Sequence, residues 1–153
     1  MDTAINVDLS DTAETSDYVF ETSQRRYMLT QVGQQSLVFP SHWVSEIMLI
    51  ERSQILNLPF YDRALLGLAH YNSNIVPLLS AQLLLTETSG HDVRSKTLKE
   101  TLTTIRLSVA VDGLTGVGIV VDHVVGSFTH ERVTNQRFFQ RSDVPSHLWQ
   151  PHW

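Results

Sequence analysis

GLAHYNSNIVPLL, from Gly67 to Leu79, and GIVVD, from Gly118 to Asp122, decide how this chain is read. In the first stretch the apolar segments 67–71 and 75–79 flank Asn72, Ser73 and Asn74. Asn and Ser bond their own backbone and Asn tolerates positive φ, so the spacing predicts two strands joined by a tight turn. The second stretch lies inside a run from Val117 to Val125, behind Asp112-Gly113 and the strand-like segment Thr104 to Val111. Asp-Gly between apolar runs predicts a further hairpin.

Working outward from these, strand character begins at Arg26 in RYMLTQV and stops at Gly33, and Ser36 to Phe39 reads as its hairpin partner. Pro40 ends that strand, and Ser41 is placed to cap one helical turn through Trp43 before the apolar run Ile47, Met48, Leu49, Ile50. Ser80 is similarly placed before Ala81 to Leu85, and the polar stretch 87–100 reads as a loop or a short exposed helix. Many short strands, turn signals every 8–12 residues and no long helix predict an all-β, mainly antiparallel barrel or sandwich.

Composition narrows the function classes. The chain of 153 residues allows one domain with a modest core. Six acids, Asp2, Asp8, Asp11, Glu14, Asp17 and Glu21, occupy residues 1–24 without a Lys or Arg, whereas the remainder carries ten acids and eleven bases. The leader reads as a solvated flexible arm or as a docking tail for a basic partner. A near-neutral body without a basic stripe argues against nucleic acid and anionic membrane surfaces. No apolar run reaches the ~18 residues a bilayer span needs, and no signal peptide is visible at the N-terminus, so direct membrane insertion is not expected and the expected location is cytoplasmic. The chain has no Cys, which excludes disulfides, thiol catalysis and thiolate metal sites.

Chemistry finds little purchase in the remaining residues. His42, His70, His91, His123, His130, His147 and His152 form no helical ligand pair, so no metal site is expected. Ser108, His123 and Asp122 contain the residue types of a hydrolytic triad but no nucleophile elbow, and Gly113, Gly116 and Gly118 lack the helix and Lys of a phosphate loop and read as turn glycines. Neither a cofactor nor an enzymatic activity is expected.

Four of these segments, in this order, resemble the CheW-like domain, which couples chemoreceptors to a histidine kinase in bacterial sensory arrays. The family's Val-x-Glu-Ile segment is matched by Val44, Ser45, Glu46 and Ile47, and its next Pro by Pro59. Its central block, from Gly through Asn-Leu-Arg-Gly to Pro and apolar residues, is matched from Gly67 to Pro77, Leu78 and Leu79; its Gly-Leu-x-Val-Asp strand is matched by Gly118 to Asp122. The likeness covers about residues 26–127. It implies two SH3-like β-barrel subdomains and a non-catalytic adaptor serving a methyl-accepting chemoreceptor and a CheA-type histidine kinase, in chemotaxis or in pilus- or light-directed motility. It also implies partner-binding positions at Val44, Glu46, Ile47, Gly67, Asn72, Ser73 and Asp122, with Glu46 alternatively a solvated strand residue and Asp122 alternatively capping a strand end. A Val44→Asp change is then expected to abolish partner binding and leave the fold intact.

Two departures from the family pattern matter. Asn72-Ser73 stands where the family usually has Arg-Gly, which removes a guanidinium able to pair with carboxylate. Residues 128–153, with Phe138, Phe139, Trp149, Trp153, Pro145 and Pro151, do not follow the family's closing strands. The expected organisation is therefore an arm (1–24), a CheW-like body (25–127) and a divergent tail (128–153). Either the tail packs on the body and completes the second barrel, with Trp149 and Trp153 covering its open end, or these two are interface anchors and an open sheet edge is left for self-association. The reading from a different class is a small β-barrel that binds a low-molecular-weight ligand.

Overall fold

The computed structural model describes residues 25–86 and 99–152. The acidic arm, the polar stretch 87–98 and Trp153 lie outside the described residues. The strands are β1 (Arg26–Val32), β2 (Gln35–Pro40), β3 (Val44–Glu51), β4 (Ile55–Leu56), β5 (Leu65–Tyr71), β6 (Asn74–Ser80), β7 (Thr101–Leu107), β8 (Gly118–Val121), β9 (His123–Thr129) and β10 (Arg137–Phe138). Two short helices, α1 (Ala81–Leu85) and α2 (His130–Val133), and 3-10 turns at Ser41–Trp43, Arg52–Gln54, Arg141–Asp143 and Ser146–Trp149 complete the elements.

The strands form a four-stranded sheet, β10-β2-β1-β9, and a six-stranded sheet, β3-β7-β8-β6-β5-β4. Pairing is antiparallel except for β6 with β8 and β10 with β2. The strand residues explain the arrangement. In the six-stranded sheet neighbouring residues fall into different cores: Leu65, Leu79, Ile105, Leu107, Ile119 and Val121 face the larger core, while Leu66, Ala69, Val76, Leu78 and Val120 face a smaller one lined also by Met48 and Ile50. A sheet covered on both faces needs apolar residues at successive positions, which is why LLGLA and GIVV do not alternate with polar residues.

The strands do not hydrogen-bond into the two closed barrels that the resemblance implied. Among the described residues β3 and β4 are the two edges of the six-stranded sheet and do not pair with each other. They are nonetheless consecutive, joined only by the turn Arg52–Gln54. That link spans at most ~14 Å, so the sheet curls until its edges approach at one end. Met48 and Ile50 from one edge strand accordingly pack in the same small core as Ile55 from the other.

Asp112-Gly113 is not a two-residue hairpin turn. The strands it was expected to join do pair, from Thr103 with Val121 to Arg106 with Gly118, but residues 108–117 connect them. This loop is closed by Leu107 N–H to Val117 O at 2.8 Å and Gly116 N–H to Leu107 O at 2.9 Å. The expected single run from Val117 to Val125 is also two strands, because the chain leaves the six-stranded sheet at Val121 and enters the four-stranded sheet at His123. Gly118 is a correction of another kind. Turn geometry accounts for Gly113 and Gly116, at φ 82° and 84°, but Gly118 is a strand residue whose missing side chain leaves room for Thr104, Leu78 and Val76. Ser80 caps α1 as expected, its Oγ accepting from Leu83 N–H at 3.2 Å, whereas the turn after Pro40 has no side-chain cap.

The tail is part of the body. Its β10 pairs with β2 at Leu37 and Val38, Phe139 stacks on Phe39 with centroids 5.0 Å apart and meets Trp43 edge-on at 6.2 Å, and Val144 and Leu148 are buried in the larger core. The expected boundary at residue 127 falls inside β9.

Candidate interaction surface

Among the described residues β3 is an edge strand that pairs with β7 alone, and its residues divide into three groups. Met48 and Ile50 point into the small core, as their complete burial requires. Ile47 and Leu49 face outward and are 44% and 64% exposed. At the start of the strand the register shifts between Val44 and Glu46, a bulge that sets Glu46 opposite Arg106. Arg106 Nη1 donates to Glu46 Oε1 at 3.0 Å, and Ser45 Oγ donates to the Arg106 carbonyl at 3.3 Å. The ion pair is partly solvated, so its net worth is roughly 0–1 kcal/mol and its main effect is to fix the carboxylate. Val44 is half-buried and packs against the larger core. Of the positions that the resemblance brings to this strand, Ile47 is the most accessible apolar one, and Leu49 joins it.

Gly67 occupies a buried bulge of β5, at φ 144°. A β-carbon there would lie 2.2 Å from the Leu56 carbonyl oxygen, so the close approach that requires glycine is made within the chain, by β4. Strand register then sets Leu56 beside Leu68 and Leu68 beside Pro77 across β4, β5 and β6, with His70 beside Ile75 further along. Leu56 and Ile75 are 65% and 62% exposed, giving this end of the sheet an apolar outer face. The hairpin between β5 and β6 turns on Asn72 and Ser73 alone, at φ 47° and 66°, the sign pattern of a type I′ turn. Asn74 Nδ2 donates to the Asn72 carbonyl at 3.2 Å and steadies it.

Asp122 stands where the chain passes from one sheet to the other. Its N–H donates to the Gln31 carbonyl at 2.9 Å, and its Oδ2 accepts from the Gly33 N–H at 2.8 Å. Lys99 Nζ donates to its carbonyl at 3.0 Å. The residue therefore closes the β1–β2 turn onto the β8–β9 joint, a strand-end role. Trp149 is 36% exposed at the far end of the tail, while Trp153 lies outside the described residues. Among the described residues no group of three His, Asp or Glu is placed to hold a metal ion, and no helix is long and apolar enough to cross a membrane.

Leu49, Leu56 and Ile75 were not legible as surface residues. A run such as Ile47-Met48-Leu49-Ile50 has no polar alternation to separate its faces, and the only available signal is that an apolar run on an edge strand leaves one face uncovered.

No family model matches the sequence, and no curated protein matches it. The structure is similar to the crystal structure of the scaffolding protein TtCheW from Thermoanaerobacter tengcongensis, with a TM-score of 0.51 at 14% sequence identity. The likeness covers 69% of this chain and 64% of that one, so the chain spans less than two thirds of its length. The two sheets, their strand order and this likeness together make the chain an all-β protein with a CheW-like fold.

Proposed function

We propose that the chain is a non-catalytic adaptor that couples a methyl-accepting chemoreceptor to a CheA-type histidine kinase, and that its β3 edge is one of the contact surfaces. The observation that carries this reading is the pair Ile47 and Leu49, exposed on the outer face of an edge strand in a CheW-like fold. Apolar side chains at the centre of a patch supply affinity, and a fixed charge at its rim sets register. The held carboxylate of Glu46 is placed for the second task. The apolar outer face around Leu56 and Ile75, with the Asn72-Ser73 turn at its tip, is a second surface of the same kind. Because the turn carries no guanidinium, contacts there rest on backbone and amide groups rather than on a cation. Val44, Gly67 and Asp122 serve this reading indirectly, by fixing the strands that display these residues.

The reading as a small-ligand barrel would place its site inside the curled sheet. That interior is filled by Met48, Ile50, Ala69, Val76 and Leu78, which favours the adaptor.

The test is capture from the native cytoplasm on the immobilised full chain, alongside a folded Leu49→Asp variant, with the recovered proteins identified by mass spectrometry. Recovery of a histidine kinase or a coiled-coil receptor by the parent chain, reduced by Leu49→Asp, is the expected outcome. A folded parent chain that recovers neither overturns the proposal.

A further inference from the structure

A cleft of about 560 Å³ opens between the 108–117 loop and the C-terminal 3-10 turns, lined by Gly113, Leu114, Arg141, Ser142, Val144, Ser146 and Trp149. Its floor is apolar, since Leu114 and Val144 are buried in the larger core. The guanidinium of Arg141 lies over Gly113 so closely that a β-carbon at Gly113 would sit 2.6 Å from Nη2. The φ of 82° is what calls for glycine at 113, since the guanidinium is the end of a flexible side chain that can move aside.

Nothing among the described residues satisfies that cation. The nearest acids in sequence are occupied or apart: Asp143 Oδ1 accepts from Arg137 at 2.6 Å, its Oδ2 accepts from the Gln140 N–H at 2.8 Å, and exposed Asp112 makes no ion pair with Arg141. Asp62 faces His147, in the next 3-10 turn, at 3.5 Å. Arg141 therefore presents its planar fork of donors to the cleft, beside two serine hydroxyls and the Trp149 ring.

We propose that this cleft binds a carboxylate attached to an apolar body. The carboxylate would take the Arg141 fork and a hydroxyl of Ser142 or Ser146, and the apolar part would cover Leu114, Val144 and Trp149. Two sources offer the carboxylate: a free organic acid, and the six acids of the chain's own residues 1–24. A covalent tether would give the second source a high effective concentration. The site is separate from the β3 surface, and its existence does not depend on the adaptor reading.

The probe is benzoate, with uncharged benzamide as control, added to the full chain at fixed ionic strength. The readout is the NMR signals of the Gly113, Ser142 and Ser146 amides and the Trp149 indole. Saturable shifts with benzoate but not benzamide, weakened at least about tenfold in Arg141→Gln, are expected. A full-length variant with the six leader acids changed to Asn or Gln separates the sources. If that change alone moves the same signals and lets benzoate saturate at lower concentration, the leader is the resident carboxylate; if it changes nothing, a free acid is the ligand. Absence of saturation by benzoate in both parent and leader variant, equal response to benzamide, or an unaltered response in Arg141→Gln overturns the proposal. Arg141 is exposed and has no ion pair among the described residues, so Arg141→Gln should keep the parent unfolding temperature and remain interpretable.

Discussion

The Leu56 carbonyl oxygen faces the Cα of Gly67 so closely that a β-carbon there would lie 2.2 Å from it. This contact lets the two-residue strand β4 lie on β5 and bring the two edges of the six-stranded sheet toward each other. Gly67→Ala must both hold φ near 144° and push β4 away. Unfolding in urea should show a loss of at least about 3 kcal/mol. A loss below about 1 kcal/mol would mean that β4 moves freely and does not fix the curl.

The Asn72-Ser73 turn carries a smaller strain with the opposite remedy. Ser73 sits at φ 66°, where a β-carbon is disfavoured and glycine is not. Ser73→Gly should stabilise the chain by about 0.5–1 kcal/mol, the relief of strain being partly offset by the freedom glycine gains in the unfolded state. Thermal unfolding reads the sign directly. An unchanged or lowered midpoint would mean that the Ser73 side chain makes a compensating contact.

Asp122 links the turn of one hairpin to the switch between sheets through the Gly33 N–H. Asp122→Ala leaves that donor without its carboxylate and should cost about 1–2 kcal/mol, while Asp122→Asn keeps an acceptor and should cost less. Equal losses in the two variants would show that the negative charge, rather than the acceptor, matters.

These positions also show how far the chain could be read before its structure. The hairpin partners on either side of Gly33 and of Asn72-Ser73 were legible because turn chemistry and apolar runs act within a few residues. The sheet switch at Asp122 was not, since GIVVDHVV is one uninterrupted strand pattern and only the distant Gly33 and Gln31 reveal the break. The tail was illegible for a related reason. The pair Phe138-Phe139 stands alone among polar residues in sequence, and the burial of Phe139 is set by Phe39 and Trp43, about a hundred residues earlier. Glu46 was picked out through the resemblance, but the ion pair that holds it was not legible, because Arg106 lies across a bulge that no local pattern encodes.

The same long-range packing makes the tail indispensable. Phe139 is 2% exposed between Phe39 and Trp43, so Phe139→Ala should cost about 3–5 kcal/mol. A chain ending at Phe128 would lose Val133, Phe139, Val144 and Leu148 together, all buried, and should not unfold cooperatively. Cooperative unfolding of that truncated chain would show that the tail is an appendage after all.

Substitutions along β3 separate surface from core within eight residues. Leu49 is 64% exposed and Ile47 is 44% exposed, so Leu49→Asp and Ile47→Asp remove apolar surface without opening the core and should change stability by no more than about 0.5 kcal/mol. Val44 packs against the larger core, and Val44→Asp brings a carboxylate to an apolar contact at a cost of about 2 kcal/mol or more. The expectation that Val44→Asp spares the fold therefore passes to Leu49 and Ile47, which become the positions to test against a partner. With purified kinase or receptor fragments in a binding titration, Leu49→Asp should weaken association at least tenfold, about 1.4 kcal/mol, while its urea midpoint stays at the parent value. Parent-like affinity in both surface variants would remove β3 from the interface and leave the Leu56 and Ile75 face as the surface to examine.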